Sequence, residues 1–377
     1  MTVQPSPRTA ELSTSRGVSI WLDDLSRPAI TSGLLSEMIE SYTLTGVTTN
    51  PSIFAKALAD GVGYESQLRA LAAEGADTER AVRELTTRDV REACDLFAEI
   101  YRSTHGVDGR VSLEVDPRLA KDTQATIEQA LQLAEAVGRE NLMIKIPATT
   151  EGLPAITEVL AAGISVNVTL IFSLVRYREV INAWLLGLEA AHRAGRDLSA
   201  IHSVASFFVS RVDTEIDAQL QQTALEPARI AELQGRAGLA NARLAYRIFT
   251  NAQDTERWRY LRDAGARVQR PLWASTGTKN PAYSDVCYVE GLIAEHTVNT
   301  MPLATLEAFA DHGEVDQPEI STYFADDDQL LDDLAKVGID YQQVVTTLED
   351  EGIAKFETAW LELWTTVTDQ LDRAKTA

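Results

Sequence analysis

A single lysine, Lys145, sits in the middle of the apolar run NLMIKIP (141–147), where its neighbours read as the inside of a sheet. Burying a cation is costly, so a lysine in that position needs a partner or a task. Alternate side chains of a strand point to opposite faces. Leu142, Ile144 and Ile146 then share one face, and Met143 and Lys145 the other. The same parity in VSLEV (111–115) sets Ser112 and Glu114 against Val111, Leu113 and Val115. In ISVNVTL (164–170) it sets Ser165, Asn167 and Thr169 against Ile164, Val166, Val168 and Leu170. Asp23 goes with Trp21, Asn50 with Thr48, and Ser206 with His202 and Val204, while Asp24 turns outward. Six segments thus aim polar groups at one shared interior.

That set has a chemistry. Apolar walls disfavour the charged form of an amine, and a neutral amine can attack a carbonyl to form a Schiff base. The Schiff base draws electrons from the adjacent carbon–carbon bond, as in a class I aldolase. Every proton transfer on the route needs a positioned acid or base, and Glu114 and Asp23 are of the right type. Asparagine amides and Ser or Thr hydroxyls match the hydroxyls of a sugar. Singly, each residue has a plainer reading. A lone strand lysine is usually structural or exposed, Asn50 or Asn167 more often serves a turn, and His202 reads as a satisfied core histidine. The coincidence of six inward polar positions is what singles out a site, because apolar side chains would suffice to fill a barrel.

Eight short apolar runs rich in β-branched residues carry these positions: 19–24, 44–50, 110–116, 141–147, 163–172, 200–209, 267–275 and 296–302. Between them lie helix signals, with Pro28, Asp116-Pro117 and Ser173 at helix starts. Eight alternating strands and helices predict a (β/α)8 TIM barrel with additional helices, since 210–264 holds more helix than one crossover needs. Barrel sites lie at the C-terminal ends of the strands, where the polar groups sit. Strand seven does not sort cleanly by parity. After strand eight, Val345, Leu348, Phe356, Trp360, Leu363, Val367 and Leu371 recur at helical spacing over 341–374, predicting a long C-terminal helix packed back on the barrel. Residues 1–17 are polar and read as a loose tail, and 18–377 as a single barrel domain with a C-terminal helical extension.

Composition narrows the partners. The net charge of −22 argues against nucleic acid or an anionic membrane, and no apolar run approaches the roughly 20 residues of a bilayer span. Residues 305–377 hold 18 acidic against 4 basic side chains, which read as a solvated helical surface. Two cysteines, Cys94 and Cys287, are too few for a disulfide scaffold, so a cytoplasmic setting is expected. The five histidines show no ligand spacing and no Gly-rich dinucleotide or phosphate loop stands out, so neither a metal nor a cofactor is expected. Monomer and homodimer both stay open.

At these residues the sequence resembles the transaldolase family, from about residue 18 to about 302. The cues are GVTTNPSIF (46–54), SLEVDPRLA (112–120), LMIKIPAT (142–149), NVTLIFS (167–173) and SFFVSRVD (206–213). The stretch 273–302 looks like the longer bacterial subgroup. The resemblance implies cofactor-free transfer of a dihydroxyacetone unit from sedoheptulose 7-phosphate to glyceraldehyde 3-phosphate, a step of the non-oxidative pentose phosphate pathway. It implies Lys145 as the Schiff-base lysine and Asp23 as the base for carbon–carbon cleavage. Glu114 and Thr169 would hold a proton-shuttling water. Asn50, Asn167 and Ser206 would bind the dihydroxyacetone hydroxyls, and Arg211 and Ser275 phosphate. The arginine usual beside the latter in compact members is absent, and Lys279 stands nearby as a replacement. Related fructose 6-phosphate aldolases carry tyrosine where this chain has Phe208, which favours transfer over release. An aldolase releasing free dihydroxyacetone and a catalytically silent sugar-phosphate binder are the competing readings.

Overall fold

The computed structural model describes residues 5–376, and eight parallel strands close into a barrel in sequence order. These are β1 (Val18–Leu22), β2 (Gly46–Val47), β3 (Arg110–Glu114), β4 (Leu142–Pro147), β5 (Val166–Ile171), β6 (Ser203–Phe208), β7 (Gln269–Ala274) and β8 (Thr297–Met301). Each lies inside one of the eight runs read from the sequence, except that β1 begins one residue before its run, at Val18. Every strand residue is buried, as expected for strands with helices on one side and a filled lumen on the other.

Parity survives almost throughout. Ile20, Leu22, Val111, Leu113, Leu142, Ile144 and Ile146 belong to the core between sheet and helices. Trp21, Met143, Val204, Leu272 and Val298 pack in the lumen. These lumen residues floor the polar positions one pleat above them. Strand seven, unsorted by sequence, splits the same way, with Leu272 and Ala274 inside and Trp273 outside. Gly46 makes room for the floor: a Cβ there would lie 2.7 Å from the indole of Trp21 and from the carbonyl oxygen of Arg110.

Leu170 is the exception. Its expected outward place is overturned, for it packs with Phe172, Phe208 and Phe356 on the lumen side. The pairing of β5 with β6 shifts register between Val168 and Ile171, and Leu170 adopts φ +58°. A bulge adds one residue and reverses the alternation beyond it.

Capping follows the sequence in part. The Ser173 hydroxyl accepts from Arg176 N, and Pro28 lies in the first turn of Arg27–Thr31. Asp116-Pro117 opens only a short 3-10 turn, and the following helix Thr123–Val137 takes Asp122 as its cap. The expected loose tail contains a helix, Pro7–Thr14, with Thr9 and Leu12 buried. Residues 1–4 of that tail, and Ala377, lie outside the described residues.

The C-terminal helix runs from Tyr341 to Thr376. It packs on the helices Pro51–Asp60, Glu65–Ala73 and Thr78–Leu96 and reaches β5. Among its buried residues are Val345, Leu348, Phe356, Leu363, Val367 and Leu371, all expected from the spacing. Two anchors hold it over the barrel mouth. The Arg118 guanidinium, paired to Asp116, lies 5.0 Å from the Trp364 ring centre and 6.0 Å from that of Trp360. At Gly352 a Cβ would stand 3.1 Å from Leu170 Cδ2.

The acidic C-terminal region, 305–377, is not simply a solvated face. Asp327, 2% exposed, takes two bonds from Arg243, at 2.8 and 2.6 Å, and Asp328 pairs with Arg247. Both arginines come from the helix Ala237–Gln253, so part of the extra helical segment receives the helix Phe324–Lys336. Leu363, fully buried, tests how firmly the long helix is bound. Leu363→Ala should lower the unfolding free energy by about 2–5 kcal/mol, read as a shift of the denaturant midpoint at unchanged slope.

Candidate active site

Above the floor of Trp21, Met143 and Val204, the next inward positions carry the polar set. Lys145 is 4% exposed and Glu114 5%, and register pairs the two directly. The Lys145 Nζ lies 3.7 Å from Glu114 Oε2 and donates to the carbonyl oxygen of Thr49 at 3.0 Å. Phe356 of the C-terminal helix turns its ring to this amine, with the centroid 5.9 Å from Nζ. Both Glu114 oxygens and the Thr169 hydroxyl are buried without a hydrogen-bonding partner. Buried polar atoms are almost always partnered, so these three have hydrogen-bonding capacity left for a water or a ligand.

Burial pushes the Glu114 carboxyl up to about 7, against the pull of Lys145 and with a smaller push from Asp23. Asp23 is also raised, first by burial, with Lys145, the Thr48 hydroxyl and Lys279 drawing it back. It sits just beyond β1, partly buried, where its Oδ1 accepts from Thr48 Oγ1 at 2.8 Å. Thr48 Oγ1 lies 2.6 Å from Thr300 Oγ1, so the carboxylate is fixed through two neighbouring strands' ends. Asp24 is exposed, as parity required.

On the opposite wall, Ser206 Oγ donates to Asn167 Oδ1 at 2.7 Å, and Asn167 Nδ2 donates to Ser112 Oγ at 3.0 Å. This chain orients the amide and commits the Ser206 proton, leaving the Ser206 oxygen as an acceptor. Asn50 is both of the things it could be. Its Oδ1 caps the helix Pro51–Asp60 by accepting from Ile53 N at 3.1 Å, which leaves its two N–H groups to donate. A ligand with adjacent hydroxyls meets donor and acceptor groups fixed from outside the ligand's reach.

A cationic rim lies beyond. Arg211 opens the helix Ser210–Leu220, forms no ion pair among the described residues, and buries its Nη1 without a partner. Its guanidinium lies 5.4 Å from the Phe208 ring centre, and burial lowers its pKa. The plain surface ion pair is therefore not its arrangement. Phe208 in turn packs on Phe172, with centroids 5.1 Å apart. Ser275, at φ +55°, accepts from Ser210 N at 3.1 Å through its carbonyl, and the two hydroxyls lie 3.0 Å apart. Lys279 is exposed but close enough to lower the Asp23 pKa.

Comparison with known proteins decides the family. The model of the family "Transaldolase/Fructose-6-phosphate aldolase" matches residues 20–367. The chain belongs to the transaldolase family. A transaldolase of Renibacterium salmoninarum is 58% identical over 368 residues, 98% of each chain. One of Mycolicibacterium smegmatis is 56% identical over 370 residues, 98% of this chain and 99% of the relative. One of Saccharopolyspora erythraea is 58% identical over 359 residues, 95% and 96%. The family match extends well past residue 302, where the motifs end, and takes in most of the C-terminal helix.

His202 stays outside the site. It lies at the opposite, N-terminal end of β6, its N–H donating to Ser165 Oγ, and burial, then Arg110 and Arg270, push its pKa down to about 2. Sequence reasoning missed Phe356 as a neighbour of the lysine. Its helical spacing marked it as core, and nothing in the spacing says which core residue crosses the barrel axis. It also missed Thr300, whose role depends on the closing contact of β8 with β1.

The Glu114 shift carries a sign. A carboxyl whose folded pKa is raised contributes stability that is present below its unfolded value, near 4.5, and is lost as pH rises through about 7. Replacing it by a neutral isostere removes that loss. The stability of Glu114→Gln relative to wild type should therefore climb between pH 4.5 and 7, by on the order of 3 kcal/mol, and level off above. Denaturant unfolding across that pH range measures it, and a flat difference would contradict the raised carboxyl.

Proposed function

We propose that this chain is a transaldolase of the non-oxidative pentose phosphate pathway, working through a Schiff base on Lys145. The observation that carries the reading is an amine 3.7 Å from a carboxyl of raised pKa, both nearly inaccessible, in a chain so similar to transaldolases. The substrates are sugar phosphates. The donor is sedoheptulose 7-phosphate and the acceptor glyceraldehyde 3-phosphate, giving erythrose 4-phosphate and fructose 6-phosphate. A cytoplasmic setting fits this role; among the described residues no helix is long and apolar enough to cross a membrane.

In this reading Lys145 attacks C2 of the ketose. Glu114, with a pKa near neutrality, holds a proton at the pH where it must give one up. Through a water held with Thr169 it protonates the C2 hydroxyl, which leaves as water, and the iminium forms. Asp23 takes the proton from the C4 hydroxyl, the C3–C4 bond breaks, and the aldose phosphate departs. The bonding electrons remain on Lys145-bound dihydroxyacetone as an enamine. The acceptor aldehyde then reverses these steps. The ring of Phe356 favours the cationic iminium, because an aromatic face attracts positive charge. Asn50, Asn167 and Ser206 hold the C1 and C3 hydroxyls.

The retained intermediate must wait for an aldehyde. Phe208 lines this end of the site and offers no hydroxyl to position a hydrolytic water, unlike the tyrosine of the related aldolases. Arg211 takes the phosphate, its unpartnered Nη1 supplying a donor already desolvated. Ser275 and Lys279 form the second contact, Lys279 as a point charge without the fork of a guanidinium.

Borohydride reduction with fructose 6-phosphate, followed by peptide mapping, should place the sugar on Lys145 alone. Label on another lysine or on none would refute the mechanism, and Lys145→Ala should stay folded and lose turnover by at least about a thousandfold, the scale of losing a covalent nucleophile. Two phosphate variants separate the rim. Arg211→Ala should raise KM for phosphorylated substrates by about tenfold or more, the scale of one charge-assisted contact, and Lys279→Ala by less, with kcat little changed in both. Equal KM values in variant and wild type would return these residues to structural roles.

A further inference from the structure

Schiff-base chemistry at Lys145 makes and consumes water at one carbon. When the carbinolamine collapses, the C2–O bond breaks, the oxygen leaves with a proton relayed from Glu114, and one water must go. Hydrolysis of the product Schiff base needs one water back. Lys145 and Glu114 are 4% and 5% exposed, Phe356 stands over the amine, and a phosphorylated ketose reaching from Lys145 toward Arg211 fills what remains of the mouth. A water exchanged at C2 needs a way past the sugar.

Beside Glu114 the structure has one. A cavity of about 230 Å3 runs outward from the barrel under the C-terminal helix. Glu114 and Asn50 line its inner end, and Glu79 and Gln132, both exposed, its outer end. Lys145, Asp23, Asn167 and Ser206 do not line it, so it is a side chamber and not the sugar site. Liquid water takes about 30 Å3 per molecule, and a cavity holds water when polar partners line it. Thr86, Arg83 and Gln129 line this one along its length, between Phe54 and Trp360. Glu114 lines the chamber, and its carboxylate, buried without a partner and 3.7 Å from the Lys145 amine, is the wall between the chamber and the reaction.

We propose that this chamber is the water conduit of the active site, exchanging the C2 water through Glu114 while the sugar occupies the mouth. The inference rests on the Schiff-base reading above. Thr86 and Gln132, outside the reacting set, mark points on the conduit's path where added bulk would block it: Thr86 among the buried lining and Gln132 at the exposed rim.

The test uses the full chain with fructose 6-phosphate in water enriched in oxygen-18. Mass spectrometry follows incorporation at the C2 carbonyl, corrected for the uncatalysed rate, and borohydride trapping reports Schiff-base occupancy at equilibrium. Gln132→Trp obstructs the rim and Thr86→Met the buried lining, while Gln132→Ala leaves the chamber open. Each obstructing variant should slow isotope exchange at least fivefold at near wild-type occupancy, with Gln132→Ala exchanging as wild type. Exchange at the wild-type rate in a folded obstructing variant overturns the conduit, because water then passes through the mouth. Occupancy falling in step with exchange overturns it too, since the substitution has then damaged the lysine site. Thr86 is buried, so should Thr86→Met fail to fold, Gln132→Trp on the exposed rim carries the test alone. A wild-type protein that neither exchanges nor traps is a separate result, which removes the Schiff-base reading itself.

Discussion

Holding an amine and a carboxyl 3.7 Å apart away from water is the constraint on which the rest of the structure depends. Two such groups are expensive to bury, and the barrel meets the cost by distributing it. Strand pairing fixes their backbones side by side, the Thr49 carbonyl accepts a hydrogen bond from the amine, and the apolar floor of Trp21 and Met143 excludes solvent from below. Closure from above is left to the C-terminal helix, which brings Phe356 to the amine. The helix is therefore part of the electrostatics of the site, although none of its residues belongs to a strand end.

The same economy explains why the barrel interior is stratified. An all-apolar lumen would be the structural solution, and only the middle of this one is largely apolar, with a polar layer of Ser19, Arg110, Ser165 and Arg270 at the N-terminal end beneath it. Towards the C-terminal ends polar groups are largely tied to one another: Ser206 to Asn167 to Ser112, and Thr300 to Thr48 to Asp23. Both Glu114 oxygens and the Thr169 hydroxyl stay open among them. Buried polar atoms without a partner occur elsewhere in the fold too, Tyr177 Oη and Asn299 Oδ1 among them, so it is the place of the Glu114 oxygens beside the Lys145 amine that marks them.

Much of this was legible from periodicity. Because strand side chains alternate strictly, the parity of 142–146 and 111–115 sufficed to separate Lys145 and Glu114 from their apolar neighbours, and eight apolar runs located all eight strands. The failures have physical causes. Leu170 was misplaced because a bulge inserts one residue, and alternation carries no mark of an insertion. The helix at Pro7–Thr14 was missed because a polar, Ser- and Thr-rich stretch resembles a tail until Thr9 and Leu12 are seen buried. The acidic run near 327 read as solvated because its arginine partners lie about eighty positions away, and sequence distance says nothing of which helix faces which. Asn50 shows a subtler limit. Its capping role and its place in the site were treated as rivals, yet one amide has two ends, and the cap uses only one.

Charge raises a last point. A chain of net charge −22 repels anionic substrates at long range, and salt screens that repulsion only beyond about 10 Å. Phosphate recognition must then come from cations kept locally unneutralised. Of the cations proposed for that contact, Arg211 is partly buried, backed by an aromatic ring and in no ion pair among the described residues. Most arginines on this surface are instead paired, as Arg229, Arg243 and Arg247 are. Pairing spends their field within the fold, so the acidic C-terminal fifth takes up arginines of the neighbouring helices and leaves Arg211 outside those pairs.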